Sequence, residues 1–164
     1  MLEQLKELLE MQKAYDNAVM AEHGLVYNYE IAEKVKIACL VEVGEFLNEL
    51  PSKFKYWKKS AKDNREKALE EYVDILHFEL SLLNCYESHE DLEDVCKYHE
   101  KAKFDKDEEL TFSELKSFVD YMDSELGLSF LLTIGGKVGF TWEEIYNAYK
   151  RKNKINWERL ANGY

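Results

Sequence analysis

Three glutamates interrupt the otherwise apolar segment CLVEVGEFLNEL at residues 39–50. Glu42, Glu45 and Glu49 are spaced by three and four residues. At about 100° per residue, this spacing places them on one face of a helix. Carboxylates on one face repel each other, and their burial is costly unless a partner neutralises the charge. The segment therefore predicts either a solvated acidic face or a carboxylate site for a cation.

A second acidic pair, Glu71 and Asp74, lies in EEYVDILHFELS with the same three-residue spacing. The 25 residues between Glu45 and Glu71 (46 through 70) suffice to finish one helix, turn and return antiparallel. Converging carboxylates would favour a hard cation, and Mg²⁺ takes oxygen ligands and bridges to substrate phosphates. Two such ions can activate a water and neutralise a polyphosphate. From spacing alone, both the metal site and the solvated face remain open.

Basic and aromatic residues separate the two acidic pairs in the segment KFKYWKK. Lys55 and Lys58 can contact phosphates, and Trp57 can stack on a base. The alternative is an ordinary surface loop that the tryptophan anchors to the core. His77 follows the second pair, either as a base-recognition group or as a satisfied core histidine; it is a poor ligand for Mg²⁺.

The C-terminal segment YKRKNKINWERLANGY carries a further set of ligand-type residues. Lys152, Asn156 and Arg159 follow one another at four and three residues, which makes one helical stripe of anion-binding groups. The alternative is a basic helix C-terminus, which the helix dipole favours. It would explain the positively charged residues but not the asparagine.

The elements that must position these residues are predicted to be helices. The chain has one proline and seven glycines, and no segment alternates like a strand. TFSE and TWEE are capping boxes, which open helices at Thr111 and Thr141. We expect a single all-α domain, residues 1–164, built as a bundle of five to six helices. The predicted helices cover residues 2–21, Asn28 to about Leu50, 63–86 from the capping box DNRE, 89–101 capped by Ser88, 111 through the segment LGLSFLLTIGGK, and 141 to about 152.

Composition excludes several functional classes. The net charge of −11 argues against bulk binding to nucleic acid or to an anionic membrane. A small anionic ligand held through metal ions stays compatible with this charge. No apolar run reaches membrane-spanning length, and the charged N-terminus is unlike a signal peptide. The three cysteines lack metal-ligand spacing, which favours free thiols in a reducing cytoplasm.

Taken in order, the motifs resemble the dimeric all-α dUTPases (dUTP diphosphatases), which belong to the all-α nucleoside triphosphate pyrophosphatases together with MazG-like enzymes. EVGE and EYVD resemble the ExxE–spacer–ExxD pattern of the superfamily. KYWKK, VDILHFELS and the final Lys-Asn…Asn…Arg…Gly-Tyr resemble dUTPases more specifically. LLEMQKAYDN resembles an early glutamine motif, with Gln12. The resemblance runs from about residue 8 to the last residue, with no matching motif at about 87–140.

This resemblance implies a cytoplasmic homodimer that hydrolyses dUTP, and dUDP, to dUMP and keeps uracil out of DNA. It implies two or more Mg²⁺ ions per site, with Glu45 also orienting or deprotonating the attacking water. The tail, about 153–164, would close over the nucleotide. The implied metal ligands are Glu42, Glu45, Glu71 and Asp74. The implied uracil contacts are Gln12, Trp57 and His77. The implied phosphate and sugar contacts are Lys55 or Lys58, with Lys152, Asn153, Asn156, Arg159 and Tyr164.

Three positions depart from the family pattern or lie outside it. The family often has an asparagine shortly after the early glutamine, whereas Asp16 or Asn17 is the candidate here. Glu49 is outside the shared pattern, and we expect it to support the site from behind the ligands. The apolar segment LGLSFLLTIGG is the candidate for a dimer interface.

Other functions remain open at this stage. One alternative is a MazG-like or dCTP-type pyrophosphatase with another base preference. A second is a protein that keeps the bundle but binds another protein without catalysis. A third is a helical scaffold with a solvated acidic face. A complete set of four carboxylates favours retained catalysis over the last two.

Overall fold

Helices dominate the computed structural model, which describes residues 1–102 and 109–163. Within those ranges the chain forms seven α-helices, one short 3-10 helix at Pro51–Lys53 and no strand. The all-α prediction is therefore confirmed, with seven helices in place of five to six. The α-helices are α1 (Leu2–Glu22), α2 (Tyr29–Asn48), α3 (Arg65–Tyr86), α4 (Leu92–Lys101), α5 (Phe112–Tyr121), α6 (Glu125–Val138) and α7 (Trp142–Ala161).

The additional helix arises from a break in the segment predicted to continue from TFSE. The chain leaves α5 at Tyr121, and Asp123 adopts a φ of 97°, which ends the helical path. Ser124 then caps α6, because its side chain accepts a hydrogen bond from the backbone N–H of Gly127. Two short helices replace the long one, and the prediction of one continuous helix is wrong.

Local capping signals account for most helix starts. Thr111 and Thr141 form the two predicted capping boxes, and Asn28 caps α2 through the N–H of Ile31. At α3 the cap is Asn64 instead of the first residue of DNRE. Asp63 instead accepts from the backbone and hydroxyl of Ser52, which closes the loop before α3. The first turn of α4 follows Asp91, so the predicted Ser88 cap is wrong.

The last helix is longer than predicted. It begins at the Thr141 capping box and runs to Ala161, because no proline or glycine interrupts the chain before Gly163. Most of the predicted C-terminal tail is thus the last two to three turns of α7. Tyr164 lies outside the described residues.

Helix α3 is the centre of the bundle and contacts α1, α2, α6 and α7. It runs antiparallel to α2, since the N–H of Asn64 donates to the carbonyl of Glu49 while Cys39 lies beside Ile75. Tyr72 is fully buried, and its hydroxyl donates to the carbonyl of Leu131 across 2.9 Å. This packing fixes the rotation of α3, and with it the direction of every functional side chain on that helix.

The apolar segment proposed as a dimer interface lies mostly inside the chain. Leu128, Leu131, Leu132 and Ile134 of α6 are buried in the core. They pack within the bundle, so these four side chains belong to the core and the prediction of an interface is wrong for them. Leu126 is 48% exposed and Phe130 is partly buried, and for these two residues the interface stays a prediction. None of the described helices has the length and hydropathy needed to cross a bilayer.

Glu79 of α3 is a buried acid away from the carboxylate motifs. Its side chain is fully buried, and neither carboxyl oxygen has a hydrogen-bond partner among the described residues. Burial raises its pKa well above the ordinary value; an electrostatic contact with the backbone of Asp123 opposes this rise, and the charge of Asp123 adds to it. The folded protein therefore favours the protonated, neutral carboxyl at this position.

We expect Glu79→Gln to stabilise the protein increasingly as pH rises. Because the pKa of Glu79 is raised in the folded state, its proton contributes to the free energy of unfolding. This contribution is fully present below the ordinary pKa of 4.5 and decreases as pH rises above it. The advantage of the variant should grow by up to about 1.4 kcal/mol per pH unit. Urea unfolding at pH 5, 6.5 and 8 measures it, with the exposed Glu70→Gln as control. Parallel pH profiles for wild type and Glu79→Gln would contradict the assignment.

Candidate functional site

The antiparallel pairing of α2 and α3 brings the two acidic motifs together. Carboxyl oxygens of Glu42, Glu45 and Glu71 all lie within 4.8 Å of one another. Asp74 lies one turn beyond Glu71 on α3, and its charge acts on Glu42. Glu45 is exposed and the other three are partly buried. Three of the four predicted metal ligands thus converge at one place, open to solvent on the side of Glu45, and Asp74 lies close enough to act on them through its charge.

Crowding makes this carboxylate cluster, Glu42, Glu45, Glu71 and Asp74, electrostatically unfavourable on its own. Burial raises the pKa of Glu42 to about 7, helped by the charges of the other three acids. Burial and the charge of Asp74 likewise raise the pKa of Glu71. A hard divalent cation would relieve this repulsion, and a set of four carboxylates is the oxygen-rich ligand set that such a cation prefers.

Lys152 of α7 forms an ion pair with one member of the cluster. Its Nζ lies 2.5 Å from a carboxylate oxygen of Asp74, in a partly buried ion pair. Burial raises the pKa of Asp74, and the hydrogen bond from Lys152 opposes that rise. The ion pair connects the acidic edge of α3 to the basic stripe on α7.

A cavity of about 380 Å³ opens beside the carboxylate cluster, between α1, α2, α3 and α7. Its wall combines acidic, basic and amide groups from helices that are distant in sequence. Seven predicted site residues line it: Gln12, Glu42, Asp74, His77, Lys152, Asn156 and Arg159.

An apolar wall, which the sequence motifs do not predict, completes the cavity. Helical spacing could have identified part of it, since Val19 lies seven residues after Gln12 on the same face of α1. Such a wall suits the flat faces of a nucleobase, with polar groups left to read its edge. Its apolar members are Val19, Met20, Val35, Phe78 and Leu160.

Buried hydrogen bonds hold the inner wall of the cavity. Oε1 of Gln12 accepts from the hydroxyl of Tyr149 at 2.7 Å and lies 2.8 Å from Nδ1 of His77. The ring of His77 stacks on Tyr149 with centroids 3.9 Å apart. Burial, with the charge of Lys152, lowers the pKa of His77 to about 3, so the imidazole is neutral. Asp16 also lines the cavity, whereas Asn17 is exposed.

Other predicted contacts lie away from the cavity wall. Lys55, Trp57 and Lys58 are on the loop between α2 and α3, where Trp57 is 65% exposed and packs edge-on against Tyr56. Asn153 is buried, and its Nδ2 has no partner among the described residues. These positions were predicted from their order in the chain. That order does not reveal whether a side chain on the loop between α2 and α3, or on α7, faces the cavity.

Glu49 acts on the carboxylate cluster through its charge. It is partly buried, and its charge contributes to the raised pKa of Glu71. It follows Glu45 by one turn of α2, at the end of the helix. Its effect on the cluster is therefore electrostatic.

Comparison with known proteins assigns nearly the whole chain to one family. A protein-family model described as dUTPase matches residues 4–164. No curated protein sequence matches the chain. The matched residues include both acidic motifs, the cavity wall and the basic stripe of α7. The chain therefore belongs to the all-α dUTPase family and is a dUTP diphosphatase, which hydrolyses dUTP to dUMP.

Proposed function

We propose that dUTP hydrolysis takes place where the carboxylate cluster meets the cavity, and that it depends on Mg²⁺ held by Glu42, Glu45, Glu71 and Asp74. The observation that supports this is the convergence of carboxyl oxygens of Glu42, Glu45 and Glu71 within 4.8 Å, beside a cavity of about 380 Å³ that Asp74 also lines. We propose two or more ions per site, since one ion leaves much of the charge of four carboxylates uncompensated.

The roles of the acidic residues follow from their exposure and their neighbours. Glu45 is the most exposed member of the cluster, so its carboxylate is the one that can orient an attacking water and accept its proton. When bound, Mg²⁺ neutralises phosphate charge and polarises the attacking water. Glu42, Glu71 and Asp74 hold their positions through α2 and α3, which keep the ligand set preorganised.

The basic stripe of α7 is proposed to hold the phosphates and the sugar. Lys152, Asn156 and Arg159 line the cavity from one side of the helix. In-line attack on phosphorus requires positioning and charge neutralisation more than covalent catalysis. Closure of the last turns of α7, with Asn153 and Tyr164, over bound nucleotide remains part of this proposal.

Uracil is proposed to occupy the inner part of the cavity, against Gln12 and His77. The loop that carries Lys55, Trp57 and Lys58 lies outside the cavity wall, so its contribution requires it to move toward the nucleotide. dUDP is proposed as a second substrate, because the base and two phosphates would occupy the same groups.

We also propose that the enzyme is a homodimer in a reducing cytoplasm. Ile37, Leu40 and Val41 leave an apolar patch exposed on α2, which supports burial against a second copy. All three cysteines are free thiols, which supports the reducing compartment. Sedimentation velocity tests the dimer, and a single monomeric species would contradict it.

Metal removal should abolish activity reversibly. We expect chelated protein to lose dUTP hydrolysis and to regain it on addition of Mg²⁺, because the carboxylate cluster then becomes able to accept a triphosphate. Mg²⁺ should also raise Tm, since binding relieves repulsion in the folded state only. Separate detection of pyrophosphate and phosphate, with dUTP, dUDP and dCTP as substrates, measures the reaction. Full activity in chelator contradicts the metal proposal, and faster turnover of dCTP contradicts the proposed base pocket.

A further inference from the structure

The side-chain amide of Gln12 is bonded at both ends although the residue is buried. Its Nε2 donates to Oδ1 of Asp16 across 2.7 Å. Its Oε1 accepts from the hydroxyl of Tyr149 and lies 2.8 Å from Nδ1 of His77. One planar amide therefore connects the carboxyl of Asp16 to the imidazole of His77.

The opposite orientation of this amide conflicts with Asp16. A half-turn of the amide would place Oε1 of Gln12 against the carboxylate, where two acceptors face each other at hydrogen-bond distance. Such a contact is strongly unfavourable in a buried site. Burial raises the pKa of Asp16 to about 6, and hydrogen bonds from Ser81 and Gln12 oppose the rise, so the carboxylate form predominates at neutral pH. Asp16 thus selects the orientation seen in the structure.

The orientation of Gln12 sets the tautomer of His77. Oε1 can only accept, so Nδ1 must carry the proton and Nε2 must carry a lone pair. Nε2 is buried and has no hydrogen-bond partner among the described residues, while the imidazole ring lines the cavity. An unsatisfied buried acceptor of this kind is stabilised by any ligand that brings a donor to it.

We infer that Asp16 is a positioning residue for base selection, which acts through Gln12 to keep His77 in the Nδ1–H tautomer and leaves Nε2 as the acceptor for the N3–H group of uracil. Cytosine carries a lone pair at N3, so the same tautomer repels it. This inference rests on the proposed placement of the base in the cavity.

Nitrogen-15 NMR of histidine-labelled protein tests the tautomer without any nucleotide. The chain has four histidines, and the spectrum of His77→Gln identifies the signals of His77. In the wild type we expect a protonated Nδ1 and an unprotonated Nε2. Asp16→Asn has the same size but presents either an oxygen or an NH₂ to Gln12, so it should give a mixture of tautomers. Asp16→Glu restores an acceptor-only group and should restore the wild-type signals.

Kinetic selectivity tests the consequence for the substrate. We expect the ratio of kcat/KM for dUTP to that for dCTP to fall about tenfold in Asp16→Asn and to recover in Asp16→Glu. Lys13→Ala is the matched control, because Lys13 is the residue next to Gln12 on α1 and is exposed. It should change neither the tautomer nor the ratio.

The outcomes separate this inference from the proposed function. A protonated Nε2 in the wild type, or an Asp16→Asn variant with unchanged tautomer and ratio, overturns the role of Asp16. A nonhydrolysable dUTP analogue should also shift the Nε2 signal of His77. If the tautomer responds to Asp16 as expected but the analogue leaves Nε2 unchanged, the proposed base pocket is wrong and the selectivity role is overturned with it.

Discussion

Replacing Glu45 by glutamine is expected to lower kcat for dUTP by about 100-fold or more. The amide keeps the size of the side chain but neither accepts a proton from water nor supplies a full negative charge to a metal ion. Glu45 is also the exposed member of the carboxylate cluster, where water has access. Initial rates at saturating dUTP and Mg²⁺ measure the loss.

The same substitution should have the opposite effect on the stability of the metal-free protein. The charge of Glu45 raises the pKa of Glu42 and Glu71, so its removal relieves repulsion within the cluster. Tm without metal should rise, and the further rise produced by Mg²⁺ should shrink. Glu70→Gln is the control, since Glu70 is exposed and lies beside Glu71 on α3. A Glu45→Gln variant that hydrolyses dUTP at the wild-type rate would refute the assignment of Glu45.

Replacing Gly127 by alanine is expected to destabilise the fold by about 3 kcal/mol. A Cβ at this position would lie 2.3 Å from the carbonyl oxygen of Tyr121 and 2.8 Å from Oε1 of Glu79. The first of these atoms is backbone, so the loop between α5 and α6 has to shift to accommodate the methyl group. For a chain of this length, such a change corresponds to a fall in Tm of about 10 °C.

Gly44 provides a matched control for this substitution. It is also a helical glycine, and a Cβ added there would have no atom within 4 Å. Gly44→Ala should therefore stabilise the protein by up to about 1 kcal/mol, through helix propensity alone. Urea unfolding of both variants gives the comparison. Similar stability changes for Gly44→Ala and Gly127→Ala would contradict the close packing of α6 against the preceding loop.

The features that sequence reasoning predicted correctly are encoded over short stretches. The capping boxes at Thr111 and Thr141 each lie within four residues, and the structure forms both. The acidic pairs lie within single turns of α2 and α3, so their shared faces could be inferred from helical geometry. Their meeting followed from the short connection between the two helices, which leaves an antiparallel return as the simplest path.

The features that were missed depend on contacts between distant parts of the chain. The break before α6 reflects the positive φ of Asp123 and the close approach of Gly127 to the loop. The hydrogen bond from Tyr149 to Gln12 joins residues 137 positions apart. The burial of the LGLSFLLTIGG segment likewise follows from packing, because an apolar run reads the same whether it covers a core or an interface.

The stripe of α3 residues from Glu71 to Ser81 fixes the distance between the carboxylate cluster and the inner part of the cavity. Glu71 and Asp74 belong to the carboxylate cluster, whereas His77 and Ser81 line the inner cavity. Ten residues of helix separate the two ends, a rise of about 15 Å that a packed helix cannot stretch or shorten. The carboxylate cluster, where we propose that the phosphates bind, and the inner cavity, where we propose that the base binds, are therefore held at a constant separation. We expect the site to select substrates by length as well as by chemistry, because a molecule that reaches only one end of this stripe leaves the other end unfilled.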